Sequence, residues 1–273
     1  LLDDEVMVEK AARYCTRVIE FGGQGFPQFW NDWGVALMKL GEMTNNKAHV
    51  EAALEKFDHA LCQQEEYPQY DGMEPEWLYN YGCALDFLGD FNEDPAYYEK
   101  AVMVLSRVVE LEPYYQHARY NLALAYSHLG ELTADIDSFQ KSLVHFEVLL
   151  SYDNEDETGW NDWGTTLMNL AQLVHDKTHP EHSQGLYEMA ESKLLHAIAL
   201  GSTTAHYNLA CLYSLQGNFT GAMHHLERSS AVGALPGVDD MLHDQWLDAL
   251  RHTPAFRTFI AQIERMKDGR HDK

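Results

Sequence analysis

The stretch Trp30-Asn31-Asp32-Trp33-Gly34, with Leu37-Met38 and Leu40 behind it, returns 130 positions later as Trp160-Asn161-Asp162-Trp163-Gly164 with Leu167-Met168 and Leu170. Three further segments keep the order of an aromatic residue, an amide and a small residue: Tyr79-Asn80-Tyr81-Gly82, Tyr120-Asn121-Leu122-Ala123 and Tyr207-Asn208-Leu209-Ala210. Self-similarity at a fixed period marks a repeat architecture, in which each unit is one supersecondary element that stacks on the next. Aligned on the small residue, Gly34, Gly82, Ala123, Gly164 and Ala210 lie 48, 41, 41 and 46 positions apart, a period near 41 with variable loops.

Each copy reads as one amphipathic helix followed by a second. The second helices carry small and apolar residues at four- and three-residue steps: Ala53-Phe57-Ala60, Ala101-Leu105-Val108, Ser142-Phe146-Leu149, Ala190-Leu194-Ala197 and Ala222-Leu226-Ser229. Asp94-Pro95 marks one start as N-cap and first helical residue, and Pro113 stands past that helix's end. Gly41, Gly89, Gly130 and Gly217 are expected to stop the first helices, with Ala171 in that place in the fourth unit.

Among the 273 residues, 43 are acidic and 19 basic, a net charge of -24 with neutral histidine. That balance argues against nucleic acid, which needs a cationic surface, and against anionic lipid. The sequence holds no apolar run of about 18 residues that would cross a bilayer. A basic or neutral partner would be drawn in by long-range attraction. Cys15, Cys62, Cys83 and Cys211 form no Cys-x-x-Cys pair and follow no secretory signal, which predicts reduced thiols in a cytoplasm. The chain begins Leu-Leu-Asp-Asp without an initiator methionine, so it is expected to be a processed or trimmed product.

The pattern resembles the tetratricopeptide repeat, whose signature is Trp-x2-Leu-Gly-x2-Tyr, then Ala-x3-Phe-x2-Ala, then Pro, in about 34 residues. Ala210 to Ala222 spans 12 positions, as that repeat requires, whereas the first three units have 19 and the fourth 26. An excess of 7 is close to two helical turns, so it lengthens a helix without rotating its apolar stripe out of phase. The resemblance implies an all-α, right-handed superhelical solenoid of antiparallel helix pairs. Residues 1–26 would be an N-terminal capping helix; 27–74, 75–115, 116–156, 157–202 and 203–234 the repeats; and 235–273 the closing helices. The stretch from Trp246 and Leu247 through Leu250 and Arg251 to Pro254 and Phe256 resembles the closing segment of some bacterial members.

In that family the groove-facing positions flank the packing residues of the first helices. Carried onto this chain they are Asn31, Asp32, Val35 and Met38, then Tyr79, Asn80, Cys83 and Phe87, then Tyr120, Asn121, Leu124 and His128. The last two units supply Asn161, Asp162, Thr165 and Met168, then Tyr207, Asn208, Cys211 and Leu215. An amide both donates and accepts, so the column of Asp32, Asn80, Asn121, Asp162 and Asn208 could pair with the backbone of an extended peptide. The alternative is that these amides satisfy neighbouring backbone groups while the tyrosines fill space between units. Relatives that grip a C-terminal carboxylate do so with lysine and arginine; the corresponding positions here hold Asn31, His117 and Asn121, so acidic-tail peptides are not the expected clients.

Other constellations carry less. His175, Asp176, His179 and His182 crowd a polar loop without a cysteine beside them, a weak zinc signal. Asp153, Glu155, Asp156 and Glu157 lack the glycine and alternating ligands of a calcium loop. Trp30, Trp33, Trp160 and Trp163 fall on packing positions, and Trp77 and Trp246 are open. No phosphate loop, nucleophile elbow or dinucleotide fingerprint occurs. The expectation is a cytoplasmic, bacterial, non-catalytic scaffold or adaptor that holds a protein or peptide in its concave groove, without metal or cofactor. Alternatives are a bacterial secretion chaperone, against which five long units count, and the interaction module of a larger protein.

Overall fold

The computed structural model describes residues 2–22, 26–64, 75–177 and 183–271, and among them the regular structure is helical, with no strand. The chain divides into two compact units, Leu1–His145 and Phe146–Lys273. The first contains α1 (Leu2–Glu20), α2 (Pro27–Thr44), α3 (Lys47–Gln64), α4 (Pro75–Asn92), α5 (Pro95–Leu111) and α6 (Gln116–Thr133); the division falls within α7 (Ile136–Tyr152). The second continues with α8 (Glu157–Lys177), α9 (Gln184–Leu200), α10 (Ala205–Leu215) and α11 (Phe219–Ala231). It ends with α12 (Val238–His243), a 3-10 turn (Gln245–Leu247), α13 (Asp248–Arg251) and α14 (Pro254–His271). Among the described residues no helix is long and apolar enough to cross a membrane.

Helix starts follow local chemistry. Pro27, Pro75, Pro95 and Pro254 each stand at a first helical position, where the missing N–H costs nothing. Asp94 caps α5 by accepting from the Ala96 amide at 3.0 Å, and Asn218 caps α11 by accepting from Gly221.

Within each unit the helices pair in chain order, α2 with α3, α4 with α5, α8 with α9 and α10 with α11, and each pair packs on the next. The pairing is made by one stripe repeated at three-, four- and three-residue steps. Val50, Ala53, Phe57 and Ala60 of α3, Ala101, Leu105 and Val108 of α5, and Ala190, Leu194 and Ala197 of α9 are all completely buried. Covering a leucine- or phenylalanine-sized side chain in this way contributes about 1.5–3 kcal/mol. Opposite the stripe sits the small residue of the first helix. A Cβ on Gly34 would lie 2.5 Å from the Phe57 ring, on Gly82 2.7 Å from Leu105, and on Gly164 2.7 Å from Leu194. Close approach of the helix axes therefore requires glycine at these three positions. At Ala123 the contact has a polar variant, because Ser142 Oγ donates to the Ala123 carbonyl at 2.6 Å.

The expected stop glycines are corrected. Gly41, Gly89 and Gly130 lie inside α2, α4 and α6, and each touches a second residue of the partner helix: Val50 at 2.5 Å, Tyr98 at 2.5 Å and Phe139 at 3.0 Å from a hypothetical Cβ. They sit two turns past the first crossing residue, and their partners sit two turns before the first partner. The additional turns of the long repeats thus bring a second crossing contact. Ala171 and Tyr187, both buried, hold the equivalent positions in α8 and α9. The helices end instead at Asn45, Glu93 and Ala134, residues with φ of 48°, 48° and 52°. Only the short last repeat behaves as expected: α10 stops at Leu215 and Gly217 follows with φ of 73°.

Candidate functional site

In the first unit α2, α4 and α6 lie side by side. Along their shared face Asn80 Nδ2 donates to Asn31 Oδ1 at 3.0 Å. One helix further on, Asn121 Nδ2 donates to the Tyr79 hydroxyl at 3.0 Å and to Cys83 Sγ at 3.1 Å. The second unit repeats the device: Asn208 Nδ2, on α10, donates to Asn161 Oδ1 at 2.9 Å and to Thr165 Oγ1 at 3.3 Å, both on α8. Each amide reaches back one first helix, to side chains, and not to the backbone groups of the alternative reading.

After α10 the closing segment takes over. Tyr207 donates its hydroxyl hydrogen to Asp244 Oδ2 at 2.6 Å, and Cys211 Sγ approaches the same oxygen at 3.6 Å. Trp246 Nε1 donates to Gln172 Oε1 at 3.0 Å. Asp244 thus stands to the Tyr207–Cys211 pair as Asn121 stands to Tyr79–Cys83.

In the first unit this leaves an open cleft of about 430 Å³ between α2, α4 and α6. Val35, Met38, Tyr79, Asn80, Cys83, Phe87 and Asn121 line it, as expected from register. Lys39, Glu42, Phe57 and Asp86 also line it and were not expected there. Asp86 holds in α4 the register position of Met38 in α2, and Glu42 lies one turn beyond Met38, so applying the Met38 step to every unit and extending it by a turn would have found both. Met38 and Phe87 pack from the rim onto the core of Phe57, Ala84 and Leu88.

The electrostatics of the cleft are acidic and partly desolvated. Burial raises the carboxyl of Glu42, opposed by Lys39. Burial also raises Asp86, opposed by its contact with His128 Nδ1 at 3.2 Å. Burial works against the His128 imidazolium, but Asp86, with Asp90 and Glu131 beyond it, more than offsets this, so its pKa is raised. The Cys83 thiol is pushed up to about 12, chiefly by burial, and the Tyr79 hydroxyl is raised by burial and by Cys83. Neither is a nucleophile at neutral pH.

The remaining expected residues divide. Tyr120 and Leu124 are half-buried on α6, and Asp162 is half-buried on α8, accepting from Asn161 Nδ2. Asp32 is exposed and accepts from Gln28. Met168 and Cys211 are completely covered, and Asn31 is 1% exposed, so these side chains belong to the packing between helices and not to a groove wall. For Cys211 the signal was absent from register alone, because its neighbour Asp244 lies outside the repeats.

The tryptophan pairs are closed from within. Trp30 and Trp33 stack at 5.5 Å with Lys56 Nζ 4.9 Å from the Trp33 ring centre. Trp160 and Trp163 stack at 5.4 Å with Lys193 Nζ 3.7 Å from Trp163. The chain's own lysine occupies the place of a bound cation. Trp77 is core, 2% exposed. Of the histidine loop, His175 is exposed, while the side chains of Asp176, His179 and His182 lie outside the described residues. Among the described residues no cluster of three or more side chains could hold a metal ion.

Residues 76–114, spanning α4 and α5, match the tetratricopeptide repeat family. Curated protein sequences yield no match to the chain. Among solved structures, the tetratricopeptide-repeat protein TTC0263 of Thermus thermophilus is similar with a TM-score of 0.52 and 19% identity, over 84% of this chain and 97% of its own. BtubC from P. vanneervenii gives 0.52 and 13%, over 85% and 92%. MamA from Desulfovibrio magneticus RS-1 gives 0.47 and 17%, over 73% and 94%. These likenesses are of fold. Residues 76–114 are thus a tetratricopeptide repeat, and the other helix pairs repeat its small-residue crossing in an all-α fold like that of TTC0263.

Proposed function

We propose that this chain is a non-catalytic scaffold that holds a segment of a partner protein in the α2–α4–α6 cleft, and that the segment is basic or neutral. The observation that carries the reading is the composition of that cleft. It has an apolar wall, Met38 and Phe87, for side chains, and a polar floor, Asn80 and Asn121, for backbone. Asn121 has spent both its N–H groups and Asn80 one of two on the preceding first helix, so their carbonyl oxygens are free to accept from a peptide N–H. The exposed carboxylate of Glu42 and the half-buried one of Asp86 favour an arginine or lysine on the bound segment, and the net charge of -24 favours its approach.

The test is selection of peptides from a displayed random library on the immobilised full chain, followed by titration of the best binders. Arginine and lysine should be enriched. Val35→Arg, at an exposed cleft position, should weaken binding at least tenfold without changing helicity. Binders that are indifferent to Val35→Arg, and that perturb the amide resonances of second helices instead, would overturn the reading.

A further inference from the structure

Asp86 belongs to the cleft and to a second contact at once. It lines the cleft with Cys83 and Phe87 of its own helix and with Glu42 of α2. Its Oδ1 also lies 3.2 Å from Nδ1 of His128 on α6, a residue outside the cleft lining. The Asp86 side chain is 17% exposed and that of His128 30%. A carboxylate drawn so far out of water stays ionised only with a cation beside it. Among the described residues His128 is its one ion-pair partner. Lys39, the basic residue of the cleft lining, acts on Glu42 instead.

An imidazolium is a conditional counter-ion, because it loses its charge near neutral pH. The groups facing His128 favour that charge. Asp86 and the exposed Asp90 come from α4 and Glu131 from its own helix, while α5 contributes the uncharged Tyr98, whose ring centre is 5.5 Å away and whose hydroxyl donates to Asp90. Burial disfavours the imidazolium, the three carboxylates more than offset it, and its pKa is raised above the ordinary 6.5. A cation that enters the cleft meets the same Asp86 carboxylate. Two cations on one carboxylate repel each other, so binding of the second loosens the first, and the coupling is reciprocal.

We propose that the cleft binds a basic segment by exchange: the guanidinium of an arginine on the segment replaces the His128 proton as the counter-ion of Asp86. The exchange rests on the scaffold reading of the cleft and gives that scaffold a pH control. One positive charge arrives with the segment and one leaves as a proton to solvent, so His128 ends as neutral imidazole. Arginine suits the exchange because it stays charged throughout the range in which imidazole titrates. Below the folded pKa of His128 the segment must displace a proton, and above it the carboxylate is already without its imidazolium. Affinity therefore rises as pH rises through that value and levels off beyond it.

A suitable probe is the synthetic peptide acetyl-Leu-Ala-Arg-Ala-Leu-amide, which has leucines for the apolar wall and no group that titrates near neutrality. Its counterpart with citrulline in place of arginine has the same shape without the charge. Titrated calorimetrically into the full chain, the arginine peptide should bind at least fivefold more tightly at pH 8.5 than at pH 6.0, and Val35→Arg should weaken it. At pH 7.0 the heats in phosphate and in Tris should differ by the ionisation heat of the released proton. The citrulline peptide should change less than twofold with pH, and so should the arginine peptide on His128→Gln, whose amide carries no charge at any pH. Binding in the cleft with equal affinity at both pH values and no proton release overturns the exchange and leaves the scaffold reading standing. A pH dependence that survives His128→Gln also overturns it, since another group would then carry the proton. Absence of any binding that Val35→Arg weakens overturns the scaffold reading and the exchange together.

Discussion

Asn208 Nδ2 donates to Asn161 Oδ1 at 2.9 Å in one unit, as Asn80 Nδ2 donates to Asn31 Oδ1 at 3.0 Å in the other. The acceptors are 8% and 1% exposed, so each bond replaces hydration that the asparagine on the earlier helix has lost. A buried polar pair of this kind penalises any slip of one first helix along the next. The amide column is thus a register device first, and a ligand contact only through the groups it leaves over.

Asn208→Ala should destabilise the chain by about 1–3 kcal/mol, because Asn161 Oδ1 is left buried without its donor. Asp32→Ala, at the matching position of the first unit but exposed and bonded to Gln28, should stay within about 0.5 kcal/mol. Urea unfolding of the two variants against the parent chain checks both figures.

Glycine-to-alanine substitutions should change sign with position. Gly89→Ala improves helix propensity, yet its methyl group would meet the Tyr98 ring at 2.5 Å, so a net loss of about 1–3 kcal/mol is expected. Gly185→Ala, in the first turn of α9 with open space around it, should stabilise by up to about 1 kcal/mol. Thermal melts of the two variants should therefore move in opposite directions.

Those glycines also mark where sequence reasoning stopped. Gly34 opposite Phe57 is legible, because small and bulky residues recur at matched steps. Gly41, Gly89 and Gly130 were misread because a glycine inside a helix and one just past its end look alike in one dimension. What distinguishes them is a partner two turns before the crossing residue, Val50, Tyr98 or Phe139, and a chain that goes on in helical conformation to Asn45, Glu93 or Ala134. The cleft was half legible: Tyr79, Asn80, Cys83 and Asn121 follow from the repeat. The cover that Asp244 gives α10 in the second unit is not legible, since it lies 37 positions beyond Tyr207 in a segment that repeats nothing. Cys211 accordingly passed for a groove residue.

That covering contact predicts thiol reactivity. Cys62 is exposed and should react with a disulfide reagent at once, whereas Cys211, completely buried and raised by burial and by Asp244, should react only on opening. Asp244→Ala removes the acceptor of Tyr207 and loosens the cover. It should speed modification of Cys211 at least tenfold, with Cys62 unchanged, as read by peptide mapping of the labelled chain.

Two histidines of the first unit should respond to pH in opposite senses. Burial, aided by Arg119 whose Nη1 lies 3.5 Å from its Nδ1, pushes His145 down to about 4 from an ordinary 6.5. Between pH 6.5 and 4 the unfolded chain takes up a proton there that the folded chain refuses, so this residue makes stability fall as pH falls. His128 is raised by Asp86, and its contribution is fully present below pH 6.5 and lost as pH rises through its folded value. Urea midpoints at pH 4.5, 5.5, 6.5 and 7.5 separate the two. His145→Gln should flatten the loss of stability on the acid side. His128→Gln should cost more at pH 5.5 than at pH 7.5, and an equal cost at both would mean that Asp86 does not hold the imidazolium.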